Sequence, residues 1–329
     1  MAKNPHYLSQ LAYVELLSTN LDETVRFYTD VVGMDETGRD ETSVYLRAWG
    51  DYFFHTLKIT QSDKKGLGGI GWRADSSESL DECVSYLEQQ RAGRGWKEAD
   101  LGRGRAFMFQ SPDGHKHEVF WDVEWLRETG ERASIYVDRY ASNRRIGANP
   151  RRIDHFTYLV AKGHYAQEKA FWQGMGLKNP DEVRLDDGKP PIGGLWTTAN
   201  LSHDIAVFSD PNLEPGQGIA NHICYNVDSR EEVLLALDYF TEKGYESVWG
   251  APTRHKADEG FFFYIMEPHT GILLEIYACA RLIFAPDHGP DVHYLKDNPN
   301  DAWGKTNPFE EMGKGKVGGL EVKPVDIKH

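Results

Sequence analysis

The sequence predicts an α+β fold of two domains, each built from two βαβββ modules, and three observations predict it. Strand-like runs alternate with amphipathic helical segments in the same order four times along the chain. Two pairs of segments are alike across the halves: RADSSESLDECVSYL, ending at Leu87, resembles NVDSREEVLLALDYF, ending at Phe240, and SPDGHKHEVF, ending at Phe120, resembles EPHTGILLEIY, ending at Tyr277. Such self-similarity sets the architecture, because each repeat is one supersecondary unit that must stack on its neighbours. Finally, 329 residues with 40% hydrophobic content are enough for two domains, each burying its own core.

Taken in order, residues 10–17 read as a strand and 20–32 as a helix, with Asn20 as its cap, Glu23 three residues on and Gly33 as its stop. Short β-favouring runs follow at 43–46 and 54–60, and a new strand begins at 69–73. Asp75-Ser76-Ser77 introduces a second helix, whose Leu80, Val84 and Leu87 share one face and which ends near Gly93. Strands at 105–109 and 116–121 flank the turn Ser111-Pro112-Asp113-Gly114. In the second half, 154–160 is a strand, 164–174 a short helix, and 195–198 and 204–208 are strands. Residues 221–227 form a further strand, and Asp228-Ser229 starts a helix with Val233, Leu237 and Phe240 inward and Gly244 as its stop. The hairpin 261–277, FFFYIMEPHTGILLEIY, closes the unit around its Pro- and Gly-containing turn. The domain boundaries expected are 1–145, 150–284 and a tail, 285–329. Residues 127–150 form the connector, with helix expected over 135–140. The tail contains Pro286, Pro290, Pro299 and Pro308 but also Tyr294, Trp303 and Phe309, which favour packing on the body or on a neighbouring subunit.

Composition excludes several classes. A formal charge of -14 argues against nucleic acid, whose phosphates demand concentrated Lys and Arg. Three scattered cysteines, Cys83, Cys224 and Cys279, make no disulfide framework and fit a reducing compartment. No signal-like start and no long apolar run occurs, so membrane spanning is not expected and the default location is cytoplasmic.

The chemistry concentrates in the second half. Glu275 interrupts the apolar run ILLEIY, where an ionised carboxylate is costly unless a cation or donor faces it, or unless strand alternation turns it to solvent. Aligning the halves by their matched strands places Tyr13 opposite His155, Gly69 opposite His222 and Glu118 opposite Glu275. A single histidine in a strand is more often a hydrogen-bonded core residue than a ligand. Three residues at repeat-equivalent strand positions are a different matter. If those strands line one concave sheet, two imidazoles and a carboxylate converge on one side of a cation and leave open positions, the facial arrangement of non-haem iron(II) oxygenases. His203, in LSHDIAVF, is a candidate unligated base, and His255 and Tyr264 lie near the same hairpin; the alternative for His203 and His255 is an exposed loop.

The run IDHFTYLV, SHDIAVF, NHICYNV, TRH before FFFYIMEP, and the closing LLEIY resembles the two-domain catechol 2,3-dioxygenases (metapyrocatechases), extradiol enzymes of the vicinal oxygen chelate superfamily whose fold is that of glyoxalase and bleomycin-resistance proteins. The resemblance spans residues 8–280. It implies that His155, His222 and Glu275 bind Fe(II), with Mn(II) accepted by the same ligands, that His203 is the acid-base residue, and that His255 and Tyr264 line the site. It also implies a small aromatic diol and O2 as substrates, a metal-free N-terminal domain, and a homotetramer. The turn Glu267-Pro268-His269-Thr270-Gly271 is one residue longer than the family's usual form, which puts the register of the last strand in question. Rival readings are a carboxylated catechol such as homoprotocatechuate, for which Arg254 and Arg184 are available, a glyoxalase-like isomerase, and a metal-free aromatic- or drug-binding module.

Overall fold

The computed structural model of the chain describes residues 5–285 and 287–304 and the backbone of 317 and 318. The N-terminal half contains β1 (Leu8–Ser18), α1 (Leu21–Arg26), β2 (Asp35–Arg39), β3 (Ser43–Arg47), β4 (Leu57–Gln61), β5 (Gly66–Ala74), α2 (Ser77–Gln89), β6 (Gly93–Lys97), β7 (Ala106–Gln110) and β8 (Lys116–Phe120). The C-terminal half contains β9 (Arg152–Ala161), α3 (Tyr165–Gly174), β10 (Lys178–Arg184), β11 (Pro191–Thr197), β12 (Ile205–Asp210), β13 (Ile219–Asn226), α4 (Arg230–Glu242), β14 (Thr253–Arg254), β15 (Phe261–Met266) and β16 (Leu273–Ala278), followed by β17 (Asp291–Tyr294) and β18 (Val317–Gly318).

The strands of the first half form one sheet in the order β2-β3-β4-β1-β5-β8-β7-β6. Those of the second repeat it as β10-β11-β12-β9 joined to β13-β16-β15-β14, with β17 added beyond β10 and β18 against β13. Each sheet is therefore two four-stranded modules meeting at an antiparallel seam, β1 with β5 and β9 with β13. The pairings are equivalent residue by residue: Gly71 faces Glu118 as Cys224 faces Glu275, and Val14 faces Leu57 as Phe156 faces Ile205. The helices pack on the outer faces, and their apolar stripes merge into one core that crosses between the halves, where the Trp72 and Trp172 rings lie 5.4 Å apart. The halves are also joined by polar contacts. Buried Glu168 of α3 accepts hydrogen bonds from the Ser111 hydroxyl and the Asp113 N–H of the other half, 2.8 and 2.9 Å, and from Tyr158, 2.6 Å.

Two local expectations are corrected. The 20–32 helix is α-helical only to Arg26 and continues as a π-helix over Phe27–Val32, closed by Gly33 at φ 91°. Residues 135–140 are turn, not helix; the connector holds a single 3-10 turn, Gly130–Arg132. The polar strands β2, β6 and β10 lack a periodic apolar signal, and pairing within the sheets makes them strands. The tail lies on the C-terminal sheet: β17 pairs with β10, the Ala302 N–H donates to the Arg254 carbonyl, and the Trp303 ring lies 5.4 Å from Phe261. Phe309 lies outside the described residues. Among the described residues no helix is long and apolar enough to cross a membrane.

Candidate metal centre

Alternation along β9, β13 and β16 turns His155, His222 and Glu275 to the concave face, and the antiparallel seam brings the strands side by side. The three converge. His155 Nε2 lies 2.9 Å and His222 Nε2 3.3 Å from Glu275 Oε2, and the two imidazole nitrogens are 3.2 Å apart. Glu275 is fully buried, which removes the reading in which it faces solvent, and neither of its oxygens receives a well-aligned hydrogen bond. The hairpin register is regular despite the longer turn, with Tyr264 directly across from Glu275.

The ring orientations suit ligation. The Nδ1 of His155 is 3.1 Å from Asp154 Oδ1 and that of His222 is 2.7 Å from Asn221 Oδ1, so each Nδ1–H is donated outward and each Nε2 lone pair is left facing the other. Two lone pairs and a carboxylate held this close repel one another unless a cation lies between them, and the donor set fits a divalent metal. Burial raises the Glu275 carboxyl, but the imidazoles of His222, His155 and His255 outweigh it and hold the group well below the usual range. Burial lowers His155, yet Asp154 and Glu275 lift it to about 9, so without a cation the ring holds a proton that a bound metal would displace from Nε2. Burial, with His155 adding to it, pushes the unligated His203 down to about 3.

The His203 ring lies tilted against that of His155, ring centroids 3.9 Å apart, with its Nδ1 2.9 Å from the Ser202 hydroxyl. It is 3% exposed, which rules out the loop-surface reading. His255 donates from Nδ1 to the Asn300 carbonyl at 3.0 Å, is stacked on Phe262, and points Nε2 at Glu275 Oε1, 3.6 Å away. The Tyr264 ring lies 5.1 Å from that of His222. All six sequence-selected residues therefore lie around one centre, five of them lining its cavity and Glu275 beneath it.

The family model described as the glyoxalase/bleomycin resistance protein/dioxygenase superfamily matches residues 10–119 and 152–276. A metapyrocatechase of Geobacillus stearothermophilus is 35% identical over 306 residues, 90% of this chain and 89% of the relative. The chain is an extradiol dioxygenase of that superfamily. A manganese-dependent 2,3-dihydroxybiphenyl 1,2-dioxygenase of Geobacillus genomosp. 3 is 30% identical, covering 86% of this chain and 89% of the relative. The same fold is seen in the crystal structure of homoprotocatechuate 2,3-dioxygenase from Arthrobacter globiformis, with a TM-score of 0.81 and 20% identity over 100% of this chain and 98% of that one.

In this extradiol dioxygenase the N-terminal half has the same constellation with different chemistry. Tyr13 and Glu118 occupy the places of His155 and Glu275 and are hydrogen-bonded to each other. Gly69 leaves the place of His222 open, with only a carbonyl 3.8 Å from where its Cβ would be. The cation here is Arg103, whose Nε is 2.7 Å from Glu118 Oε1. His55, two residues before Leu57 as His203 is before Ile205, packs at a tilt against Tyr13, ring centroids 4.7 Å apart. Sequence alignment of the halves passed over His55, although its spacing from the matched strand contains the signal.

Other residues of the dioxygenase site were also missed. Thr157 Oγ1 lies 2.9 Å from His222 Nε2, and Trp249, Asp258, Asp181 and Asn300 line the cavity. Thr157, at position i+2 from His155, could be found from strand period alone; Asn300 and Asp181 reach the site only through the tail and the strand order. Arg254 and Arg184 are absent from the described lining and are paired with Glu259 and Glu182.

Proposed function

We propose that the chain is a catechol 2,3-dioxygenase, cleaving catechol or alkyl- and chloro-catechols beside the diol to give a 2-hydroxymuconic semialdehyde, with both atoms of O2 in the product. The observation that carries this reading is the fully buried Glu275 carboxylate facing two imidazole Nε2 atoms at 2.9 and 3.3 Å, with a neutral histidine against the same group. His155, His222 and Glu275 would hold Fe(II), or Mn(II) as in the manganese-dependent relative. The bound ion supplies a template on which diol and O2 meet and a charge that favours the deprotonated diol.

The remaining steps belong to side chains of the chain itself. His203 is neutral and enclosed, so its free nitrogen accepts a proton from the substrate and later returns it. His255, with Nδ1 committed to the Asn300 carbonyl, and Tyr264, a phenol that burial keeps protonated, donate hydrogen bonds to developing oxyanion charge. Leu195, Ala206 and Phe208 give the ring an apolar berth that excludes water. In this scheme residues 1–145 are a metal-free scaffold, 150–284 the catalytic domain and 285–329 a tail that completes the pocket. The enzyme is cytoplasmic and a homotetramer, an assembly that the exposed Ile135, Val137 and Phe284 favour.

The test is to load the protein anaerobically with ferrous iron, add catechol in aerated buffer and follow the visible spectrum. A yellow ring-cleavage product, abolished by a chelator, is expected. Bound metal without product moves the reading to another oxygenation substrate, and failure to bind metal supports the aromatic-binding module.

A further inference from the structure

One cross-strand row runs across five strands of the C-terminal sheet, from β13 to β10. His222 faces Thr157, Thr157 faces Ala206, Ala206 faces Leu195 and Leu195 faces Asp181. Cross-strand partners point to the same face, and all five side chains line the cavity. The row therefore reads as a slot: a metal-ligand imidazole at one end, a short hydroxyl and two apolar side chains as the floor, and a carboxylate at the other. Asp181 lines the same cavity as the imidazoles of His155 and His222, so it is the acidic group at the far end of the row from the metal ligands.

Asp181 is held in place from behind. It is 1% exposed, accepts from Arg281 Nη2 at 2.7 and 2.8 Å through its two oxygens, and lies 2.8 Å from His293 Nε2. Arg281 and His293 are not among the described residues lining the cavity, so the pocket meets the carboxylate end of this pair. Asp258 adds a second acid to the wall, and no lysine or arginine is among the described residues lining it. A carboxylate retains acceptor capacity after two or three hydrogen bonds, so a hydroxyl or ammonium on the substituent can still be received, while an anion is repelled.

We propose that Asp181 is the specificity-determining residue for the ring substituent, making the site selective for catechols whose substituent is neutral or cationic and against those that carry a carboxylate. The inference rests on the ring-cleavage reading above.

The test uses metal-loaded protein under anaerobic conditions and calorimetric titration with three catechols of similar size: 4-ethylcatechol, 4-(2-aminoethyl)catechol and 3,4-dihydroxyphenylacetate. The acetate is expected to bind about tenfold or more weakly than the ethyl compound, and the aminoethyl compound at least as tightly. In Asp181→Asn the gap between ethyl and acetate closes; in Arg281→Gln, which keeps the carboxylate and removes its counter-charge, the gap widens. Acetate binding as tight as ethyl in the parent protein overturns the assignment, as does an unchanged gap in a folded Asp181→Asn protein. Binding of none of the three overturns the ring-cleavage reading and this inference with it, whereas cleavage of 4-ethylcatechol without discrimination removes only the role of Asp181.

Discussion

Arg103 holds Glu118 in the N-terminal half at 2.7 Å, in the position where, in the C-terminal half, Glu275 faces the Nε2 atoms of two histidines. One carboxylate position, repeated in the fold, is thus answered by a guanidinium in one half and prepared for a metal ion in the other. Tyr13 completes the difference, because a phenol bonded to Glu118 stands where His155 would present a ligand. A Cβ on Gly71, its cross-strand partner, would lie 2.2 Å from that ring, so the glycine makes the substitution possible.

Removing this internal cation should cost stability without touching the metal. Arg103→Ala leaves Glu118 buried beside Tyr13 with only the half-exposed Lys97 nearby, and breaking such a pair costs about 3–5 kcal/mol. A lower midpoint in denaturant with unchanged metal per folded chain is expected. Glu118→Gln should retain activity, and a folded but inactive variant would show that the N-terminal half is more than a scaffold.

The two kinds of histidine should separate experimentally. His155→Ala and Glu275→Ala lose bound metal, whereas His203→Phe retains it and loses roughly 10²–10⁴ in turnover. Metal content by elemental analysis alongside single-turnover rates distinguishes them; equal metal loss in all three would remove the division of roles.

Asn221 and Asp154 accept from the Nδ1 atoms of His222 and His155 and so fix the two rings. Asn221→Ala should weaken metal affinity by about 10–100-fold while sparing the fold, measured by competition with a chelating dye.

Stability should fall as pH rises through the range in which Glu168 titrates. Burial, reinforced by the Asp113 carboxylate, lifts the Glu168 carboxyl to about 7, against hydrogen bonds from Tyr158, the Asp113 N–H and Ser111 that lower it. The folded state therefore holds this proton more tightly than the unfolded state. The group's contribution is fully present below the ordinary carboxyl value of about 4.5 and is lost as pH climbs to about 7. Burial lifts Asp51 to about 6, which acts in the same direction. Glu168→Gln should show a shallower decline in melting temperature across that window, and a slope equal to the parent's would count against this account.

Much of the molecule was legible in the chain because its signals are local and repeated. The DSSES and DSREE helix starts became Ser76- and Ser229-capped helices, and strand period placed His155, His222 and Glu275 on the same side of their strands. The π-helical turn after Arg26 was not legible, because Phe27–Val32 has ordinary helical periodicity and only packing selects the wider turn. Nor were the polar strands β2, β6 and β10, whose conformation comes from neighbours distant in sequence.

By itself the sequence determined the repeat and the convergence of His155, His222 and Glu275, with His203 beside them, since these follow from residue type and a period of two. Only the tertiary structure decided that Arg103 serves as the cation of the N-terminal half and that Arg281 fixes Asp181 in the wall of the cavity. Those contacts join residues 15 and 100 positions apart, and no local pattern specifies which strand edges the folded sheets bring together.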